Sequence, residues 1–240
     1  SSGVYKQCQS AELGRELRRK SLRLILFRLP FTAKNLDEPG VIYAAASNIG
    51  FYPSRYQIFP ADYDGIIPLT DELWFENDAA NRIREFLLVV WGAETLAENI
   101  AWLAESLDKK GGEVPEETIR RYLTNYFYKD HLQMYKKRPI YWLFSSGKQK
   151  AFECLIYLHR YNEATLSRMR NEYVTPLQGK IAARLDYLSN EIIACTTTSA
   201  RNKLEKQLDI LKKKQSELGT FDNLLRHYAD QRISLDLDDG

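Results

Sequence analysis

Two β-prone runs near the middle of the chain, RPIYWLFSS (138–146) and KAFECLIYLHR (150–160), are separated only by Gly147-Lys148-Gln149 and read as a hairpin. Because strand side chains alternate between faces, Ile140, Trp142 and Phe144 share one side of the first run, and Phe152, Cys154, Ile156 and Leu158 share one side of the second. The complementary set, Tyr141, Leu143, Leu155, Tyr157 and His159, is nearly as apolar. A lone two-stranded ribbon is marginal in water, and a ribbon apolar on both sides has to be covered on both. The remainder of the chain must therefore supply the cover.

Most of that remainder is patterned as helix. Asp78 is placed to N-cap ANRIREFLLVVW, in which Ile83, Phe86, Leu87 and Val90 fall at helical spacing, and Gly92 ends the pattern. ETLAENIAWLAESLDKK puts Leu96, Ile100, Leu103 and Leu107 on one face and stops at Gly111-Gly112. Pro115-Glu116-Glu117 suits a first turn, since proline lacks a hydrogen that a helix start leaves unpaired, and Ile119, Tyr122, Leu123, Tyr126 and Phe127 form the apolar face that follows. After Asn162, a stripe of Leu166, Met169 and Tyr173 is interrupted by Pro176 and continued by Ile181, Leu185, Leu188 and Ile192. The loop ACTTTSA comes next, with Thr198 or Ser199 as the cap of a last helix whose Leu204, Leu208, Leu211 and Leu218 approach a coiled-coil seam. Two helices joined so briefly should fold back antiparallel.

The expected fold is thus α+β and mostly α-helical: a helical group, a small β-hairpin or sheet, and a C-terminal antiparallel helical pair. Three portions are expected: a mixed N-terminal one over 1–70, the helical group with the basic hairpin over 71–164, and the helical hairpin over 165–240. Within the first, 10–20 reads as a basic helix, and 41–69 reads as irregular structure with Pro53, Pro60 and Pro68. Asp64-Gly65 marks a turn feeding a short strand. The abrupt start and the closing RISLDLDDG, a strand-like alternation ending in a turn, suggest a fragment of a longer protein.

Composition narrows the class. Hydrophobic residues make up 44%, charged residues 28%, and Tyr, Phe and Trp number 15, 10 and 4, which argues for a folded globular domain. No apolar run approaches the ~18 residues of a membrane span. Cys8, Cys154 and Cys195, odd in number and far apart, make no disulfide framework, so a reducing cytoplasm is expected. The net charge of +2 conceals segregation: residues 35–119 carry five basic and sixteen acidic side chains, whereas 136–170 carry eight and two. A polyanion could therefore bind selected faces; the alternative is an unevenly charged solvated surface.

No catalytic or metal site is legible. There is no GxxxxGK[ST] or GxGxxG phosphate loop. Cys154 and His159 stand five apart on an expected strand and would point to opposite faces, while His131 and His227 are isolated and fit surface or capping roles. Carboxylate pairs recur (Asp62/Asp64, Asp71/Glu72, Glu76/Asp78, Asp236/Asp238/Asp239), without a nuclease or calcium-loop pattern; capping and turn roles account for Asp64, Asp71 and Asp78. What remains is a basic-aromatic block. Lys136, Lys137 and Arg138 precede the hairpin, Lys148 and Lys150 sit at its turn, and Arg160, Arg168 and Arg170 follow it. Cations beside a β-ribbon can pair with phosphates, and a ribbon can enter a major groove, which makes these eight the DNA-binding candidates. In the alternative reading the aromatics are ordinary core and the cations solvate its edge.

The stretch 128–174, YKDHLQMYKKRPIYWLFSSGKQKAFECLIYLHRYNEATLSRMRNEYV, resembles part of the PglX-type adenine-specific DNA methyltransferases of BREX phage-defence systems. PADYDGIIPLTDELWFEND (60–78) and LLRHYADQRISLDLDDG (224–240) are similar to the same family, so the resemblance runs from about residue 60 to the end. It implies a long protein that transfers a methyl group from S-adenosylmethionine to adenine N6, marking host DNA against phage DNA. Such enzymes use a glycine-rich cofactor loop and an (Asn/Asp)-Pro-Pro-(Tyr/Phe) motif beside a flipped base. Neither occurs here, so no catalytic or cofactor-binding residue carries over. The resemblance implies the non-catalytic part C-terminal to the methyltransferase core, with double-stranded DNA, the rest of the methyltransferase and other BREX components as partners. Two roles follow, target recognition by the basic hairpin or docking by the helices onto other defence components.

Overall fold

The computed structural model describes residues 59, 62–107, 109–136 and 138–235. The basic helix expected at 10–20, Cys8, Lys137 and the closing aspartates Asp236, Asp238 and Asp239 lie outside the described residues. The architecture is α+β and mostly helical, as the patterning requires. The chain divides into two compact units: one takes the described residues up to Tyr63 together with those from Glu76 to Lys136, the other Asp64–Phe75 and the residues from Arg138 onward.

The first unit is helical. Helix α1 (Ala79–Trp91) starts at Asp78, whose side chain accepts from the Asn81 amide at 2.9 Å, and it ends at Gly92. The other Asp78 oxygen meets the Arg120 guanidinium at 2.6 Å, so the cap also ties α1 to α3 (Pro115–Tyr122). Between them lies α2 (Leu96–Ser106), with Ile100 and Leu103 buried. Ahead of α3, Glu113 accepts from Arg121 at 2.7 Å and from the Thr118 hydroxyl at 2.9 Å. Chiefly because of Arg121, its carboxyl is held down to about 2.

Helix α3 runs through a π-helical segment, Leu123–Phe127, into α4 (Tyr128–Tyr135). A π turn takes more residues than an α turn, so it rotates the apolar face. Phe127 is fully buried, while Tyr126, expected on the same face, is 46% exposed and stacks on Tyr122. His131 follows the rotated face inward. Contrary to the surface or capping role expected, it is 0% exposed, lying 6.1 Å from Phe127 and 4.6 Å from Tyr135 between ring centroids.

The second unit is a three-stranded antiparallel sheet on a helical layer. Strand β1 (Ile66–Leu69), β2 (Tyr141–Ser145) and β3 (Glu153–Tyr157) take the order β1-β3-β2. The register pairs Trp142 with Ile156 and Phe144 with Cys154 on one face, and Tyr141 with Tyr157 and Leu143 with Leu155 on the other. These are the faces that alternation assigns. All five residues of β3 are buried, whereas β2 is an edge strand with Trp142 42% exposed. The sequence runs Leu158–Arg160 on as a 3₁₀ turn rather than as strand.

Asp64 launches β1: one oxygen accepts from the Ile66 amide and the other from the Tyr173 hydroxyl, each at 2.8 Å. Gly65, at φ 73°, has no room for a side chain, since an added Cβ would stand 3.0 Å from the Arg160 Cβ. The helical layer starts with α5 (Thr165–Arg168), passes through a π segment, Met169–Val174, and continues as α6 (Thr175–Ala194). Pro176 therefore does not interrupt the run. It falls in the first turn after the π segment, where its missing N–H costs little. Helix α7 (Thr198–Ala229) returns antiparallel. Its cap residue is Thr197 rather than Thr198 or Ser199, and no side-chain capping bond forms. Ile66, Phe152, Cys154 and Ile156 of the sheet region pack with Met169, Val174, Leu177, Ile181, Leu211, Leu218 and Phe221 in one core.

Burial penalises the charged imidazole and lowers His131 to about 4. The unfolded chain, with its ordinary histidine near 6.5, takes up the proton first. Stability present above pH ~6.5 is therefore lost as the pH falls towards 4, by on the order of 2–3 kcal/mol. Urea melts of wild type and His131→Phe between pH 7 and 4.5 should show a stability difference that shrinks or reverses on acidification; a pH-independent difference would refute the neutral buried imidazole.

Candidate nucleic-acid interface

The hairpin loop is longer than the Gly147-Lys148-Gln149 turn read from the sequence. Pairing stops at Ser145 and Glu153, and the residues between are organised by a side chain from elsewhere. Glu217, in the middle of α7, accepts from the Ser146 hydroxyl at 2.7 Å, the Gln149 amide at 2.6 Å and the Ala151 amide at 3.1 Å. Loop amides left unpaired by the strands thus find a carboxylate, which accepts without needing to donate. The fit is close. At Gly147, φ 137°, an added Cβ would stand 3.0 Å from a Glu217 oxygen. Burial alone would raise the Glu217 carboxyl; the Gln149 amide, the Ser146 hydroxyl, the Ala151 amide and the Lys214 charge outweigh it and hold the group below its ordinary range.

A second tie fixes the same end of the sheet to α7. Lys214 reaches Asp71, just past β1, at 2.6 Å. Asp71 is thus an ion-pair partner, while Asp64 and Asp78 take the turn and capping roles expected of them. The Glu153 carboxyl is raised by burial, against the Ser145 hydroxyl at 2.9 Å and Lys150 at 3.4 Å.

The eight cations are placed unequally. Arg138 and Lys148 are exposed, Lys148 at the loop tip, and neither makes an ion pair among the described residues. Lys150, at φ 49°, is exposed but tied to Glu153. Arg160 is half-buried beside Gly65. Arg168 pairs with Glu172 within one helical turn at 3.5 Å, and Arg170 pairs with Asp222 of α7 at 2.8 Å. These two arginines hold helices together before they can serve a ligand. Lys136 is exposed at the end of α4, in the first unit, with φ 52°. Lys137 lies outside the described residues. Of the eight candidates, Arg138 and Lys148 at the loop tip are accordingly the cations of the second unit most open to a polyanion.

Other reactive groups do not form a site. The Cys154 thiol is buried in the core and its ionisation is pushed up by that burial, while His159 is exposed on the 3₁₀ turn. Among the described residues, no three His, Cys, Asp or Glu side chains converge as a metal ion needs. Among them too, no helix is long and apolar enough to cross a membrane. Glu217 was missed from sequence because its loop partners lie 66 to 71 residues away.

No family model matches the chain. It is 54% identical over 215 residues to the adenine-specific methyltransferase BrxX of Escherichia coli O9:H4 (strain HS), an alignment covering 86% of this chain and 18% of that protein. It is 39% identical over 213 residues to the adenine-specific methyltransferase PglX of Lacticaseibacillus casei (strain Zhang), covering 88% and 17%. The chain therefore spans less than a fifth of the length of these curated relatives. The resemblance to PglX-type proteins drawn from the sequence holds over nearly its whole length.

Removing Glu217 should strand two part-buried amides. Glu217→Ala is expected to cost about 1–3 kcal/mol in urea denaturation and to speed exchange of the Gln149 and Ala151 amides. Unchanged exchange at those two amides would show that the loop does not depend on the carboxylate.

Proposed function

We propose that this chain is the DNA-recognition portion of a PglX-type adenine-specific DNA methyltransferase, lying C-terminal to the catalytic core and serving BREX anti-phage defence in the bacterial cytoplasm. The observation that carries the reading is the similarity to two adenine-specific methyltransferases over nearly the whole chain, in a segment that itself lacks their catalytic chemistry. The 240 residues contain no glycine-rich cofactor loop and no Pro-Pro pair, so S-adenosylmethionine has no fitting residues here. Methyl transfer then falls to the rest of the protein, and this part holds the duplex.

The loop tip suits that task. Arg138 and Lys148 are exposed, and the backbone that carries Lys148 is pinned by Glu217. A cation on a pinned loop loses less freedom on meeting a phosphate than one on a free loop, which favours binding. The edge strand β2, which carries the partly exposed Trp142, leaves one side of the ribbon open to a groove. The alternative role, helical docking onto other defence components, has weaker support. It wants a continuous apolar patch along the helices, yet the exposed Tyr187 and Ile193 of α6 stand roughly 120° apart around the axis, and on α7 the exposed Ile210 shares a side with Leu224 and Tyr228 but lies about 21 Å or more along the helix from them.

The reading is tested with the full-length protein and duplex DNA by fluorescence anisotropy over a salt series. Affinity should fall steeply with salt, and Arg138→Glu with Lys148→Glu should weaken binding at least about tenfold and reduce the slope by roughly two. Binding of the double variant with unchanged affinity and slope would remove the hairpin from the DNA contact.

A further inference from the structure

We propose that one flank of α7 is a second DNA-contacting surface, on which Lys203, Lys206 and Lys213 carry phosphate contacts from the hairpin loop along the duplex. The inference rests on the DNA-recognition reading above and extends it to a surface that the hairpin residues do not include.

At about 100° per residue, Leu211, Leu218 and Leu225 turn one face of α7 to the core. Lys203, Lys206, Ile210, Lys213 and Glu217 then fall together on one flank, within roughly 80° of arc. All but Glu217 are exposed. Glu217 marks where the flank meets the hairpin loop, because its oxygens hold the Ser146 hydroxyl and the Gln149 amide. Lys213 lies one turn before that junction, and Lys206 and Lys203 lie further along the same line. From position 203 to 217 the helix rises about 21 Å, comparable with some six base pairs of duplex.

The charges on this flank are free for a ligand. Lys203, Lys206 and Lys213 make no ion pair among the described residues, and the one acid of the flank, Glu217, is taken up by the loop. The neighbouring Lys214, turned towards the core side, is instead committed to Asp71. Asp209 lies on the outer face within a turn of Lys206 and Lys213 without pairing to either, and Glu205 lies beyond it. The far side, with Glu205, Asp209, Lys212, Ser216 and Thr220, is close to neutral. A helix made merely soluble by its charges has no need to gather unpaired lysines in line with a basic loop. Phosphates of a duplex, a regular row of single negative charges, fit that line, and each lysine meeting one releases a counterion.

The test measures duplex binding by the full-length protein across a salt series, with a mixed-sequence 30-base-pair probe, for wild type, Lys148→Glu, and the triple variant Lys203→Glu/Lys206→Glu/Lys213→Glu. Circular dichroism melts check that the exposed substitutions leave the fold intact, and the triple change to Gln removes the charge without reversing it. The triple variants are expected to bind at least about tenfold more weakly, with the salt slope reduced by two to three, against about one for Lys148→Glu. If Lys148→Glu weakens binding while both triple variants keep the wild-type slope, the track is overturned and the hairpin reading stands. Loss in the triple variants with an unaltered Lys148→Glu would leave the track standing and overturn the hairpin contact. No duplex binding by wild type at low salt would overturn both.

Discussion

The second unit depends on a carboxylate placed where a loop cannot satisfy itself. The hairpin strands stop pairing at Ser145 and Glu153, and Glu217 takes up the hydroxyl and two amides that the loop turns inward. Three bonds to one ionised group are each stronger than neutral ones, and together they fix loop and helix in a single relation. Lys214 adds a second tie at Asp71, close to where β1 ends. The basic residues of the loop and those of α7 are thereby carried on elements joined by hydrogen bonds and an ion pair rather than on two independent ones. If a polyanion binds here, it meets a prearranged set of charges.

Beneath that tie lies the burial that alternation demanded. Strand β3 is central, buried on both sides and paired with a partner on each edge, so its two apolar faces are both accommodated. One face shares a core with Met169, Val174, Leu177, Ile181, Leu218 and Phe221. Burying so many large side chains is the main stabilising contribution, at about 25 cal/mol per Å² of apolar surface removed from water. The arginines that looked free in sequence are partly consumed in the same framework. Arg170 pairs with Asp222 across the helical layer, and Arg168 pairs with Glu172.

The faces of β2 and β3, the Asp78 cap, the Gly92 stop and the antiparallel helical pair were legible because each follows from spacing within one element. Three kinds of feature were not. Two π segments shift helical phase, which moved Tyr126 out and His131 in, and let Pro176 follow a turn instead of breaking one. The pairing of β1 with β3 joins four residues to a strand nearly ninety positions later, and nothing local in Ile-Ile-Pro-Leu names its partner. The Glu217 loop clamp is of the same kind, a side-chain contact of long sequence separation in a helix whose other glutamate, Glu205, faces solvent. The family resemblance was legible because it rested on long specific strings, and the comparisons extend it over most of the chain.

The most direct test of DNA recognition by this part is a lysine acylation footprint of the full-length protein, read by mass spectrometry with and without saturating duplex DNA. The expected result is that DNA slows acylation of Lys148, while Lys109 and Lys110, in the acidic first unit, react as before. Bound DNA that leaves Lys148 as reactive as in the free protein would contradict the account.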